Sequence, residues 1–197
     1  RGGIKYDTAQ SYIDGDTHNS SLLFDGSDDF FMLADYAGLD WGTTGAFTIE
    51  AWVKFVSHDY MNIFSRRNDH NNSTWYFREN GSATTMNLVL SNAASNQTHY
   101  SRTISDLSTN WHHWCVVRES ENVTKIYLDG VQQGATITTS HNVDSDYESS
   151  QANQGTNLVI GARLYDNGWA QFFNGFMDEI RVSNVARWTA DFDDKIT

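Results

Sequence analysis

The sequence predicts an all-β fold, a single two-sheet antiparallel sandwich, and three observations carry that prediction. Apolar residues alternate with polar ones over short runs. Turn-forming Gly, Asn and Asp clusters separate those runs. No long segment carries the 3.6-residue period of a helix or the βαβ order of a parallel sheet. The clearest run is Phe47-Thr48-Ile49-Glu50-Ala51-Trp52-Val53-Lys54-Phe55. Its odd positions face a core, and Thr48, Glu50 and Lys54 face the other way with Trp52 as the apolar exception. A chain of 197 residues with 39% apolar and 14% aromatic content can bury one core of this kind.

Residues 1–20 are polar and weakly patterned, and read as a leading arm or linker; the folded unit is expected over 21–197 as one domain. Strands are expected at 21–24, 30–33, 47–55, 61–65, 74–78, 86–91, 98–103, 111–118, 123–128, 131–138, 157–162 and 173–183. Asp129-Gly130, between Lys125-Ile126-Tyr127-Leu128 and Val131, marks a two-residue hairpin with positive φ. Short helical turns are expected only at 33–39 and 185–188. No internal repeat is visible.

Charge and cysteine usage narrow the function. A net charge of -12 repels nucleic-acid backbones and anionic membranes, so neither nucleic acid binding nor membrane insertion is expected. No run of 18 apolar residues is present. The single cysteine, Cys115, lies in the apolar run Trp114-Cys115-Val116-Val117 and reads as a small core residue, not a reactive thiol. The chain begins at Arg1 rather than Met, which suits a processed product or a piece of something larger.

Six local patterns, in order, resemble the laminin-G-like branch of the concanavalin A-like lectin/glucanase superfamily. They are Leu23-Phe24-Asp25-Gly26-Ser27-Asp28-Asp29-Phe30, Phe47-Thr48-Ile49-Glu50-Ala51-Trp52-Val53, Asn110-Trp111-His112-His113-Trp114-Cys115-Val116-Val117, Ile126-Tyr127-Leu128-Asp129-Gly130, Leu158-Val159-Ile160-Gly161, and Phe173-Asn174-Gly175-Phe176-Met177-Asp178-Glu179-Ile180-Arg181-Val182 followed by Ala186-Arg187-Trp188. Trp114 departs from the pattern, standing where an aliphatic residue is more usual. The resemblance spans about residues 21–190 and implies a jelly-roll sandwich. That fold hosts lectins, adhesion modules, glycosidases, lyases and viral attachment proteins, so function has to come from the sites.

The resemblance also implies one structural calcium ion between the early acidic turn and the last strand. The matching residues are Asp25, Gly26, Asp28 and Asp178. Calcium takes six to eight hard oxygens, which a turn this rich in carboxylates can begin to supply. A solvated acidic turn, with Asp178 capping a hairpin, accounts for the same residues. Asp144-Ser145-Asp146-Tyr147-Glu148 puts three acids on one face of an extended segment; the plainer reading is an exposed acidic loop. His112 and His113 are adjacent on a strand, so they point to opposite faces and cannot share a metal; one is expected to pack inside and the other to face out.

The Glu-x-Asp-x-x-Glu strand that marks the superfamily's β-glucanases is absent, and Glu119-Ser120-Glu121 lies at a strand end. No catalytic residue is therefore assigned. Loops carry aromatic residues beside Asp, Asn and Arg, which suits stacking on sugar rings and bonding to hydroxyls. Arg67, Asp69, His70, Trp75, Tyr165, Asp166 and Trp169 are the expected ligand contacts, although ordinary turn chemistry explains much of the same composition.

Together these readings make the chain a non-catalytic carbohydrate-binding or adhesion module with calcium, working outside the cell on a glycan or a surface protein. The alternative is a structural or attachment subunit of a virion, tail fibre or surface filament, self-assembling through residues 1–20. A polysaccharide hydrolase or lyase is third.

Overall fold

Alternation and turn chemistry produce fifteen strands among the residues described by this computed structural model, which are 5–7, 20–33, 41, 44–67, 73–91, 97–104, 110–138, 157–165 and 168–193. In chain order they are β1 (Lys5–Asp7), β2 (Ser21–Asp25), β3 (Phe31–Leu33), β4 (Phe47–Phe55), β5 (Asn62–Arg67), β6 (Ser73–Glu79), β7 (Thr85–Ser91), β8 (Gln97–Thr103), β9 (His112–Ser120), β10 (Val123–Leu128), β11 (Val131–Gln132), β12 (Leu158–Ile160), β13 (Arg163–Tyr165), β14 (Gly168–Ala170) and β15 (Asn174–Ser183).

They form a seven-stranded sheet, β1-β2-β15-β4-β9-β10-β11, and a six-stranded sheet, β3-β12-β5-β6-β7-β8, with β13 and β14 as a separate hairpin. Every pairing is antiparallel. This is the jelly-roll sandwich expected from the sequence. No helix occurs among the described residues, and so none there is long and apolar enough to cross a membrane.

Each of the twelve expected strands has a counterpart. The run expected at 131–138 is shorter, however: β11 covers Val131–Gln132, and pairing resumes only at the bridge between Thr124 and Ile137. Residues 185–188 form no helical turn and run as an irregular strap, while 34–39 lie outside the described residues. Lys5–Asp7, within the expected leading arm, pair with Ser21–Leu23 at the edge of the seven-stranded sheet.

Between the sheets the odd residues of β4 meet Trp75 and Phe77 of β6 and Trp114 of β9, all nearly or fully buried. Phe47 stacks on both Trp41 and Trp75, with ring centroids 4.4 and 5.8 Å away. Fully burying such side chains supplies about 1.5–3 kcal/mol each and makes this interior the main source of stability. The Asp129-Gly130 hairpin forms as expected, with φ of 49° and 74°. Its Asp129 carboxylate accepts from the His113 backbone N–H at 2.8 Å and pairs with His112 Nδ1 at 2.7 Å.

The outer face of the seven-stranded sheet differs from the simple polar face that alternation suggested. Glu50 is 1% exposed, and Thr48, Trp52, Cys115 and Tyr127 are also buried. The strap beyond β15 covers them, laying Ala186, Trp188 and Phe192 over Cys115, Val117 and Tyr127. His113 is buried on this face beside Trp52 and Glu50, so it does not face solvent as one of the two histidines was expected to. Cys115 is buried as expected. Burial first, then the neighbouring Glu50 carboxylate, pushes its thiol well above the ordinary value and keeps it unreactive.

Candidate functional site

The six-stranded sheet also has an outer face, and its residues follow from strand alternation. In β6, Trp75 and Phe77 point into the core, so Tyr76 and Arg78 point out; in β7, Met86, Leu88 and Leu90 point in, so Asn87 and Val89 point out. Register then aligns the outward side chains across strands. Asn62 pairs with Arg78, Arg78 with Asn87, and Asn87 with Ser101. The next row is Val159, Ser65, Tyr76, Val89 and His99.

A one-residue bulge sets the first row. Between Asn62 and Phe64 the pairing with β6 slips by one residue, so Ile63 and Phe64 both join the core and Asn62, not Ile63, stands opposite Arg78.

This polar row is buried and incompletely bonded. Asn62 is 0%, Asn87 3% and Arg78 9% exposed, yet among the described residues Asn62 Oδ1, Arg78 Nε and Asn87 Oδ1 meet no hydrogen-bond partner. A buried polar atom left unpaired costs about 1–3 kcal/mol, so three on one face need a reason. Asn62 Nδ2 donates to Gln171 Oε1 at 2.9 Å, and Arg78 Nη1 donates to the same oxygen at 3.3 Å. Arg78 Nη2 donates to Asn80 Oδ1 at 3.3 Å.

Two rings and a second cation lie around Arg78. The Arg78 guanidinium lies 5.4 Å from the Tyr60 ring and 5.2 Å from the Tyr76 ring, and Arg163 lies 4.9 Å from Tyr76. Tyr60 is 47% exposed, so it forms the open side of the row, as Ser101 and His99 do at the far end. Burial first, then the positive charges of Arg78 and Arg163, hold the His99 imidazole below its ordinary value. Tyr60 and Gln171, which both touch Arg78, have φ of 50° and 54°, a left-handed backbone that side chains other than glycine enter at a cost of about 1 kcal/mol or more. Gly81 permits the Tyr60 position, since a Cβ there would lie 2.6 Å from the Tyr60 ring.

At the rim, the turn from β2 to β3 passes from one sheet to the other. Asp25, Asp28 and Asp29 each place a carboxylate oxygen within 4.8 Å of the others. Gly26 turns the chain with φ of 78°, Asp25 Oδ1 accepts from Ser27 N at 2.8 Å, and Asp29 Oδ2 accepts from Asp25 N at 3.2 Å. The donor set is all hard oxygen and two of its members are exposed, which fits calcium with water completing the shell. Asp178 is not brought to this turn. Register sets Asn174 opposite Asp25, and Asp178 lies four residues further along β15, opposite Trp52, roughly 13 Å away at strand spacing. The carboxylates that converge are those of Asp25, Asp28 and Asp29, rather than the set with Asp178 expected from the resemblance.

The expected ligand contacts divide. Trp75 is a core residue, 1% exposed, so its ring is not available to a ligand. Trp169 stacks on Phe30 at 4.2 Å, directly after the acidic turn. Arg67 and Tyr165 end strands β5 and β13, and only their backbones are described. Asp69, His70 and Asp166, and the acidic segment Asp144–Glu148, lie outside the described residues. Sequence reasoning passed over Asn62, Arg78, Asn87 and Gln171. The available signal was a polar residue between core positions, as in Phe77-Arg78-Glu79 and Met86-Asn87-Leu88, but only register shows that they line up.

A family model of laminin-G type, described as the concanavalin A-like lectin/glucanases superfamily, matches residues 25–191. The chain belongs to this superfamily. No curated protein matches its sequence. Among solved structures it is similar to a SAP-like heptameric pentraxin from Limulus polyphemus, with 19% identity, 86% of this chain and 77% of that one covered, and a TM-score of 0.59. It is also similar to domain 4 of AbnA, an extracellular arabinanase of Geobacillus stearothermophilus solved with arabinotriose, at 18% identity, 94% and 77% coverage and a TM-score of 0.61. A third is the CBM40 of Ruminococcus gnavus IT-sialidase bound to α2,3-sialyllactose, at 13% identity, 86% and 91% coverage and a TM-score of 0.64. At these identities the likeness establishes the fold.

Proposed function

We propose that this chain is a non-catalytic carbohydrate-binding module that works outside the cell and docks a glycan on the outer face of its six-stranded sheet. The observation that carries this reading is the exposed Tyr60 ring at the edge of this face, with the Arg78 guanidinium 5.4 Å from it. An exposed tyrosine face suits the apolar side of a pyranose, and the exposed Ser101 hydroxyl at the far end of the polar row can bond to a sugar hydroxyl. Membership of the superfamily supports the reading, as do similar structures solved with arabinotriose and sialyllactose.

Binding is favoured over hydrolysis by the composition of the face. Glycoside cleavage needs two carboxyl groups about 5–10 Å apart. The two described rows carry Asn, Arg, Ser, Tyr, Val and His and no carboxylate. Calcium belongs to this reading as a structural ion. Asp25, Asp28 and Asp29 would hold it, and it would offset their mutual repulsion at the point where the chain changes sheets.

The test is a glycan array, followed by titration of the hits, with calcium and after chelation. Binding to at least one glycan class is expected, together with a fall in melting temperature on chelation that the double variant Asp25→Asn, Asp28→Asn no longer shows. Uniform non-binding across diverse glycans would sink the proposal, and a melting temperature indifferent to chelation would remove the ion from it.

A further inference from the structure

The turn from β6 to β7 carries a pair of residues with chemistry of their own. Three Asn-Gly pairs occur in the chain, Asn80-Gly81, Asn167-Gly168 and Asn174-Gly175. In such a pair the glycine nitrogen can attack the asparagine Cγ, because no Cβ shields its approach. Asn167 lies outside the described residues, and the fold treats the other two pairs differently.

Asn174-Gly175 is locked into β15. Asn174 N donates to Met61 Sδ at 3.1 Å and its Nδ2 donates to Ser57 Oγ at 3.0 Å. Gly175 is buried and stands between Phe24 and Phe55 in the ladder. Neither reacting group can turn toward the other without breaking the sheet. Asn80-Gly81 instead stands in an open turn, with Gly81 and Ser82 exposed. Other amides close that turn: Asn80 N donates to Thr85 O at 3.0 Å, and Ser82 N and Ala83 N donate to Glu79 Oε1 at 2.8 and 3.1 Å. Gly81 N takes part in none of these bonds. The Asn80 side-chain carbonyl is the activated group, since Arg78 Nη2 donates to its Oδ1 at 3.3 Å. A guanidinium there draws electrons from Cγ and stabilises the negative charge that collects on Oδ1 when a nucleophile adds. Gln171 Oε1, 3.3 Å from Nη1, and the Tyr60 and Tyr76 rings hold Arg78 in this position.

We propose that Asn80-Gly81 is a self-modifying site, at which Arg78 promotes conversion of the Asn80 amide to a carboxylate. Gly81 N loses its proton and bonds to Asn80 Cγ; the Cγ–Nδ2 bond breaks, and the proton departs with the amide nitrogen as ammonia. Water then opens the succinimide. Cleavage of the new N–Cγ bond gives aspartate, and cleavage of the original bond from the Asn80 carbonyl carbon to Gly81 N gives isoaspartate. Either product puts an anion beside the Arg78 guanidinium and exchanges a neutral contact for an ion pair. Isoaspartate also lengthens the main chain next to Gly81, where a Cβ would already lie 2.6 Å from the Tyr60 ring, so that ring has to move. The site is a slow clock beside the ring assigned to a glycan, and it runs whether or not a glycan binds.

Peptide mapping by mass spectrometry, with digestion at acidic pH, follows the conversion, and enzymatic methyl transfer to isoaspartate identifies the branched product. In the folded protein at neutral pH, Asn80 is expected to convert at least about tenfold faster than Asn174, and faster again at mildly alkaline pH, where more of the Gly81 amide is deprotonated. Arg78→Gln should slow Asn80 several-fold and leave Asn174 unchanged. If that variant does not fold, the parent protein in urea decides: unfolding should speed Asn174 greatly and Asn80 not at all. Equal rates at the two positions of the folded protein overturn the proposal, as does an Asn80 that accelerates in urea as Asn174 does. A folded Arg78→Gln that converts Asn80 at the parental rate overturns it too.

Discussion

The two outer faces of this sandwich start from the same problem and end differently. Each places a buried charged side chain in the middle of a sheet, Glu50 on one and Arg78 on the other. Each relies on a one-residue bulge to choose its neighbour. On the seven-stranded sheet the register of β15 on β4 slips between Asp178 and Arg181, where Glu179 takes a φ of 47°, so that Arg181 and not Ile180 stands opposite Glu50. Arg181 Nε then donates to Glu50 Oε1 at 2.6 Å. The strap supplies the rest: Trp188 Nε1 donates to Oε2 at 2.8 Å, and Arg187 Nε lies 3.2 Å from Oε1. Thr48 fixes the strap's course, donating to Val185 O at 2.8 Å and accepting from Arg187 N at 2.9 Å. On the six-stranded sheet the corresponding bulge brings Asn62 to Arg78, but donors and acceptors remain unmatched. On the seven-stranded sheet the chain closes its polar network itself; on the other face the row lies beside the exposed Tyr60 ring, where the proposed glycan would dock.

Removing Glu50 is the strongest way to break this contrast. Glu50→Ala leaves Arg181, Arg187 and Trp188 without their acceptor, and should cost about 3–5 kcal/mol in urea denaturation. A loss below about 1 kcal/mol would reduce the cluster to ordinary surface pairing.

Acid should act on the same group. Burial alone would raise the Glu50 carboxyl, but hydrogen bonds from His113, Trp188 and Arg181, with the Arg181 charge, outweigh it and bring the pKa from 4.5 down to about 2. Because the folded value is depressed, the stabilisation is present above pH 4.5 and is lost as the pH falls through about 2. That component amounts to about 3 kcal/mol, and Glu50→Gln should lack it when melting is followed against pH. A variant whose acid profile matched the parent's would show that other carboxylates govern acid unfolding.

The smallest effect on stability belongs to the other face. Asn87→Ala removes a side-chain acceptor that has no partner among the described residues, so folding should change by no more than about 1 kcal/mol. Glycan affinity should instead fall several-fold in titration of Tyr60→Ala, which removes the exposed ring. A variant that lost stability as Glu50→Ala does, with binding intact, would make the two faces alike.

How far the sequence could be read followed the range of the interaction. Alternation in 47–55 is local, and β4 formed there with its odd residues in the core. The hairpin at Asp129-Gly130 is local too, since positive φ at two successive residues needs no distant partner. The acidic turn, Asp29 included, was visible as a string of carboxylates, but which three would converge was not. Asp29 lies beside the others in sequence, whereas Asp178 was placed there by family pattern and fell several residues away along β15.

Sequence alone therefore determined an all-β chain, its strands and turns, and the acidic segment 25–29. Tertiary structure decided which polar residues would meet. Glu50 and Arg181 are 131 positions apart, and Asn62, Arg78 and Asn87 sit on three different strands. The physical reason is the bulge. A single extra residue in β15 or β5 turns one side chain from core to surface and shifts its partner by one position, a choice fixed by packing between strands and left unmarked within either one.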